Sequence, residues 1–236
     1  MAYRPDGPLV SVVIPVYNGE RYLAEAIESV LGQPYRPLEL LVVDDGSADG
    51  SAEVAGRYDT PVRLIRALHE GAAAARNRGA EAAEGSYLAF LDADDLWTAG
   101  KLPLQVARLE SDAALDAAFG TVEHFYSPEL DQAARNTIEC PGGAMPAYHP
   151  GAMLIRTEAF RRVGPFQTCW QVGEFMDWYL RAQEAGLMSV MLPDVVMRRR
   201  LHGANLGLRA RPARVDYARI LKAALDRRRK NGCTDA

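Results

Sequence analysis

The sequence predicts an α/β protein built on a doubly wound, Rossmann-like, mostly parallel central sheet flanked by helices. Three observations carry that prediction. Short apolar runs rich in β-branched residues alternate with amphipathic segments from Leu9 to Leu91. The links between them are short. Three of the runs also end in polar groups, at Tyr17 and Asn18, at Asp44 and Asp45, and at Asp92, Asp94 and Asp95. Open parallel sheets bind ligands beyond the carboxyl ends of their strands, so these three ends converge on one functional edge.

Leu9 to Pro15 (LVSVVIP) is apolar on both faces, as expected of a central parallel strand. Pro15 has no N–H to donate and is expected to end the ladder. Leu23, Ala26, Ile27, Val30 and Leu31 recur at helical spacing between Gly19 and Leu31, with Glu20, Arg21, Glu25 and Glu28 opposite them. A second strand over Leu38–Val43 is followed by a short helix over Ser51–Tyr58 and a third strand over Val62–Ile65. Gly71 to Ala83 is Ala-rich and helical, and Gly85 separates it from a fourth strand over Tyr87–Leu91.

Beyond Trp97 the periodicity predicts a helix over Lys101–Leu109 and a strand over Ala117–Tyr126. The Pro- and Gly-rich interval 127–150 reads as loop, of the length that binding elements and lids occupy. A strand over Ala152–Ile155, a short helix over Glu158–Val163 and a longer one over Glu174–Ala185 follow. Two strands are expected at Met188–Leu192 and Val195–Arg200. Arg214 to Lys230 reads as a basic amphipathic helix that packs on the parent domain or meets an anionic membrane surface or a partner.

Length and composition fit a soluble protein of one large domain or one and a half. The 236 residues are 48% hydrophobic, enough for a sizeable core, and the net charge of −4 offers no footprint for nucleic acid. No apolar run approaches the ~18 residues of a membrane span, and the N-terminus lacks a signal-peptide pattern, so no transmembrane segment and a cytosolic compartment are expected. Cys140, Cys169 and Cys233 lack metal-site or disulfide spacing and read as free thiols.

Asp92, Asp94 and Asp95 lie where an apolar strand leaves the core. Carboxylates this close repel one another unless a cation sits among them, and their hard oxygens favour Mg2+ or Mn2+ over zinc. The alternative is an acidic loop that ends in a helix N-cap.

Four segments, SVVIPVYNGERYLAEAIESVLGQ, LELLVVDDGSADGS, GAAAARNRGAEAAEGSYLAFLDADD and GEFMDWYLRA, together resemble the family 2 glycosyltransferases of GT-A fold. The resemblance is dense from Leu9 to about Leu109 and sparser from Pro150 to Asn205. It implies an inverting enzyme that takes a sugar from a nucleotide donor. On that basis residues 1–109 form a nucleotide-sugar-binding half, 110–208 an acceptor-binding half of the same domain, and 209–236 a basic helical tail.

The resemblance implies nucleotide-binding roles for Pro15, Tyr17, Asp45, Arg76 and Asp92. Tyr17 would offer a flat ring, and Asp45 an acceptor for the N3–H of uracil, which makes UDP the expected nucleotide with dTDP sharing the same group. Asp92-Ala93-Asp94 matches the family's D-x-D, so Asp94 is the expected metal ligand. His202, in RRRLHGANLG, is a second ligand candidate, with Arg200 and Asn205 weaker candidates beside it.

Inversion needs a carboxylate to take the acceptor's proton. The family's usual base position is occupied here by Phe175, so Glu174, with Asp177 as the fallback, is the candidate; at i,i+3 both could face the cleft. The acceptor stays open among glycan, lipid carrier, natural product and peptide, and homodimerisation is a default without its own signal. Two other classes remain: a sugar-nucleotide-binding module without turnover, suggested by Phe175, and a nucleotidyltransferase, against which stands the lack of a Gly-rich basic loop after the first strand.

Overall fold

In a computed structural model the described residues are 7–203, 205 and 215–232. Residues 1–6 of the expected nucleotide half, 206–214 around the start of the tail, and Cys233 lie outside them. Cys140 and Cys169 are free thiols.

The first half follows the expected alternation. Strand β1 (Val10–Val16) leads to helix α1 (Glu20–Leu31), β2 (Leu38–Asp44) to α2 (Ser51–Ala55), β3 (Val62–Arg66) to α3 (Ala72–Glu81), and then to β4 (Tyr87–Phe90). These strands lie in the order β3-β2-β1-β4 and are parallel throughout. Every residue of β1 is buried because both of its faces are covered. Val10, Val12, Ile14 and Val16 pack in one core layer with Leu23, Ile27 and Val30 of α1, while Val13 packs in the opposite layer with Ala75 of α3. Apolar side chains on both faces of a strand are what a two-sided α/β sheet requires.

Pro15 stops pairing on one side only. Odd-numbered residues of β1 face β4, since Tyr87 N donates to Leu9 O and Leu91 N to Val13 O. With β4 finished at Phe90, the absent N–H of Pro15 meets no strand. Pairing with β2 continues past it to Val16, whose carbonyl accepts from Asp45 N at 2.8 Å.

The sheet then turns mixed. A two-residue strand β5 (Leu96–Trp97) precedes α4 (Lys101–Glu110) and the long β6 (Ala117–Tyr126). The interval read as loop contains α5 (Gln132–Thr137) and β7 (Ala144–Ala147). Asp131 caps α5 by accepting from Ala134 N at 2.7 Å, and β7 pairs antiparallel with β6 despite Pro146. A 3-10 turn (Pro150–Ala152) leads to β8 (Leu154–Arg156), α6 (Thr157–Val163) and α7 (Glu174–Glu184).

The two strands expected after α7 are a single one, β9 (Ser189–Leu201), which runs parallel to β6. A bulge opposite Gly120 absorbs Leu192, Pro193 and Asp194, so proline bends the strand without breaking it. Among the described residues the sheet has nine strands, in the order β3-β2-β1-β4-β8-β6-β9-β5 with β7 on β6. The basic tail forms α8 (Val215–Gly232), whose Arg227 pairs with Glu184 of α7 at 2.8 Å. No helix among the described residues is long and apolar enough to cross a membrane.

Candidate active site

The carboxyl ends of β2, β1 and β4 sit side by side and carry the first groups of the site. The two loops that leave β1 and β2 are bolted together. Asn18 N donates to Ser47 Oγ, Ala48 N donates to Asn18 Oδ1, and Gly19 N donates to Ser51 Oγ, all within 2.9 Å. Tyr17 stands half exposed beyond β1 with its ring stacked on His69, centroids 3.9 Å apart. Asp45 is buried. It accepts from Glu70 N, Gly71 N and His69 Nδ1, each at 2.9 Å, and so holds the loop that carries His69 against Tyr17. Pro15 lies buried in β1 behind them.

Helix α3 brings Arg76 to the same edge. It can approach the sheet closely because Gly79 faces Val13, where a Cβ would come within 2.3 Å of the valine side chain. Arg76 is buried, and its two terminal nitrogens reach different carboxylates: Asp92 Oδ1 at 2.6 Å and Glu174 Oε1 at 2.7 Å. Burial, the largest influence, would lift Asp92, but the cations around it, Arg76 first among them, together hold the carboxyl at about 2. Burial likewise disfavours the charge on Arg76, and the two carboxylates more than restore it. The Arg76 Nε is buried without a partner among the described residues.

The oxygens of Asp92, Asp94 and Asp95 converge, with one ligand atom from each lying within 4.8 Å of the others. Burial, and then the charges of Asp94 and Asp92, push the Asp95 carboxyl well above the ordinary range. This is the electrostatic state that a divalent cation relieves, and the donors are all hard oxygens, so the cluster fits Mg2+ or Mn2+. His202 Nε2 reaches Asp94 Oδ2 at 2.8 Å, and Asn205 Nδ2 donates to the same oxygen at 3.3 Å. Arg200 braces the group from β9, donating through its backbone to Asp95 Oδ1 and through Nε to Asp94 O.

Helix α7 separates the two acidic residues expected to share the cleft. Gly173, with φ +83°, turns the chain into the helix in a left-handed conformation that suits glycine, and Glu174 emerges at its first residue beside Arg76. Asp177 is buried against Arg181 at 2.9 Å and Arg227 of α8 at 3.5 Å. Phe175 is buried in an aromatic cluster with Phe119, Phe166, Trp178 and Tyr179.

One neighbour of this group was not anticipated. His149, in the interval read as loop, places Nε2 3.9 Å from Asp92 Oδ2 and accepts from Gly151 N through Nδ1. The only sequence signal was the Pro-Gly pair after it, which marks a tight turn able to aim the preceding side chain.

A Rossmann-like sheet with a carboxylate cluster at its strand ends and a second, mixed half beyond defines the GT-A fold class. The sequence model of Glycosyl transferase family 2 matches residues 11–170, and the chain belongs to that family. An uncharacterised glycosyltransferase of Haemophilus influenzae is 45% identical over 103 residues, 42% of this chain and 41% of that protein. TuaG of Bacillus subtilis, a putative teichuronic acid biosynthesis glycosyltransferase, is 37% identical over 148 residues, 56% of this chain and 59% of its own. WfgD of Escherichia coli, a UDP-Glc:alpha-D-GlcNAc-diphosphoundecaprenol beta-1,3-glucosyltransferase, is 42% identical over 106 residues, 44% of this chain and 42% of its own. The chain thus spans less than two thirds of these relatives. Among solved structures, S. aureus TarS 1-349 in complex with UDP-GlcNAc matches with a TM-score of 0.68 and 19% identity over 83% of this chain and 59% of that one. The mannosyltransferase PcManGT from Pyrobaculum calidifontis, in complex with GDP-Man and Mn2+, matches with a TM-score of 0.65 and 22% identity over 85% and 59%. At these identities the structures establish a shared fold.

Proposed function

We propose that this chain is an inverting, metal-assisted glycosyltransferase that moves a sugar from a nucleotide diphosphate donor, a UDP-sugar first among them, to an acceptor nucleophile. The observation that carries the reading is Arg76, which ties Asp92 at the donor edge to Glu174 at the start of α7. Residues 1–109 would hold the donor and 110–208 the acceptor. WfgD is named for a UDP-sugar donor and TarS is seen with UDP-GlcNAc, which supports UDP here.

In this reading Tyr17 and Asp45 meet the base, with Pro15 behind them, and Arg76 and Asp92 meet the ribose or phosphate oxygens. Asp94 and His202 would hold Mn2+ or Mg2+, which supplies charge neutralisation for the departing nucleoside diphosphate. Glu174 takes the acceptor's proton. It keeps some exposure and shares its one guanidinium with Asp92, whereas Asp177 is fully buried between two arginines of its own. The buried Phe175 favours one second reading, a module that binds sugar nucleotides without turning them over.

The test is thermal stabilisation by UDP, dTDP, GDP, ADP and CMP, with and without Mn2+, on the wild type and Asp94→Ala, followed by donor turnover with the nucleotide that binds. A ligand at a hundredfold excess over its Kd adds about 2.7 kcal/mol of stability. UDP or dTDP stabilising only with Mn2+, and not in the variant, supports the donor site. Turnover then separates the enzyme from the binding module, and no nucleotide-specific shift would sink the reading.

A further inference from the structure

Helix α8 carries two distinct faces, and one of them is spent on the domain. Asp216, Ile220 and Ala224, four apart, are buried. Asp216 Oδ2 accepts from Gln171 N at 3.0 Å, and Ile220 lies so close to the turn before α7 that a Cβ on Gly173 would come within 3.0 Å of its Cδ1. Arg227, on the same side, pairs with Glu184 at 2.8 Å and Asp177 at 3.5 Å. These contacts account for the docking of α8 on α7.

Nothing in them accounts for the outer face. At about 100° per residue, Val215, Ala218, Leu221 and Leu225 fall within an arc of about 120° directed away from the buried row. Val215, Leu221 and Leu225 are 51%, 48% and 54% exposed, and Ala218 is exposed beside them. That is a contiguous apolar stripe, unlike the single hydrophobics scattered over an ordinary surface. Lys222 and Arg229 are exposed within the same arc, and neither forms an ion pair among the described residues. Residues 215–230 hold six cations and two acids, one of the acids being the buried Asp216, in a chain whose net charge is −4. Positive charge is therefore concentrated where the stripe lies.

We infer that the outer face of α8 docks this protein on an anionic lipid surface, with the helix in the plane of the headgroups and Leu221 and Leu225 toward the acyl chains. A bilayer interface meets both features of the face at once. Its phosphates suit Lys222 and Arg229, whose stems can reach up to them, and hydrocarbon lies just beneath for the leucines. Nucleic acid would use the cations and leave the leucines in water. A protein partner would bury the cations, because they stand within the stripe and not around it, and the centres of protein interfaces are depleted of charge. A second copy meeting this face across a two-fold axis would set like charge against like. Docking asks nothing of the donor site, so it holds or falls apart from the functional reading above.

The test is cosedimentation of the whole chain, without nucleotide, with vesicles of phosphatidylcholine alone and of equal parts phosphatidylcholine and phosphatidylglycerol. Two double variants accompany the wild type, Leu221→Ser with Leu225→Ser and Lys222→Gln with Arg229→Gln. All four side chains are exposed, so melting temperatures should match the wild type. We expect binding to the anionic vesicles at least about tenfold tighter than to the neutral ones, weakened by added salt, and lowered by about tenfold or more in each double variant. Leu225→Trp reads the face directly, since the added emission should shift to the blue on anionic vesicles. Sedimentation velocity without vesicles should be the same for the wild type and the serine variant.

No binding to the anionic vesicles, or equal binding to both kinds, overturns the inference. So does either double variant binding as the wild type does, which would place any lipid contact elsewhere on the surface, or a tryptophan at 225 whose emission stays unshifted. Self-association of the wild type that the serine variant loses also overturns it, by giving the face to a second copy of the chain.

Discussion

Arg76 and Glu174, 98 residues apart in sequence, are joined at 2.7 Å. The same guanidinium holds Asp92 with its other terminal nitrogen, so a single buried cation ties the end of β4 to the first turn of α7. Its removal leaves two partly buried carboxylates facing each other. Arg76→Met should therefore destabilise the fold by about 3 kcal/mol, at the lower end for a broken buried pair because both acids keep some solvent. Urea denaturation with an unchanged slope would check it; a loss under about 0.5 kcal/mol would show the bridge to be dispensable.

Glu174 and Asp177 make opposite predictions. Glu174→Gln should lower kcat by about a hundredfold or more, the loss expected of a general base, and cost only about 1 kcal/mol of stability because Arg76 keeps its pair with Asp92. Asp177→Asn should do the reverse, costing about 2 kcal/mol by leaving Arg181 and Arg227 short of a partner while kcat stays within about threefold. Steady-state kinetics beside thermal melts decide between them, and an inactive, stable Asp177→Asn would exchange their roles.

Asp94→Asn and His202→Ala bear on the cation. We expect either to weaken Mn2+ in the presence of UDP by about tenfold or more, since each removes a group at the carboxylate cluster. Manganese titration followed by water-proton relaxation reads this directly. Equal manganese affinity in both variants would place the ion elsewhere.

His149 gives a pH dependence. Burial is the largest influence and depresses the ring, to about 4 from an ordinary 6.5, although Asp92 pulls the other way. Between those values the unfolded chain binds a proton that the folded chain refuses. The stability that His149 contributes is therefore complete above about pH 6.5 and is lost as pH falls toward about 4. Without added metal, His149→Gln should flatten the stability curve across that window; a curve parallel to the wild type would mean that the ring titrates normally when folded.

The strand and helix order of the first half was legible because its signals are local. Apolar runs of strand length and helical spacing between Gly and Pro breaks specify β1 to β4 to within a residue and their helices to within three, the helix expected over Ser51–Tyr58 ending at Ala55. The interval 127–150 was not, because proline and glycine mark turns without excluding short elements between them. There, α5 depends on the Asp131 cap and β7 on having β6 to pair with. The single strand β9 was read as two because Pro193 looks like a terminus until a partner strand absorbs it in a bulge.

By itself the sequence determined the class of sheet, the edge at which polar strand ends gather, and the carboxylates that gather there, all consequences of local composition and period. Tertiary structure alone decided which partners those groups acquire. Residues three apart on a helix differ by about 60° around its axis. That was enough for Glu174 to meet Arg76 while Asp177 met Arg181 and Arg227 of α8. Spacing sets the angle between two side chains, and only the packed neighbours determine what lies along each direction.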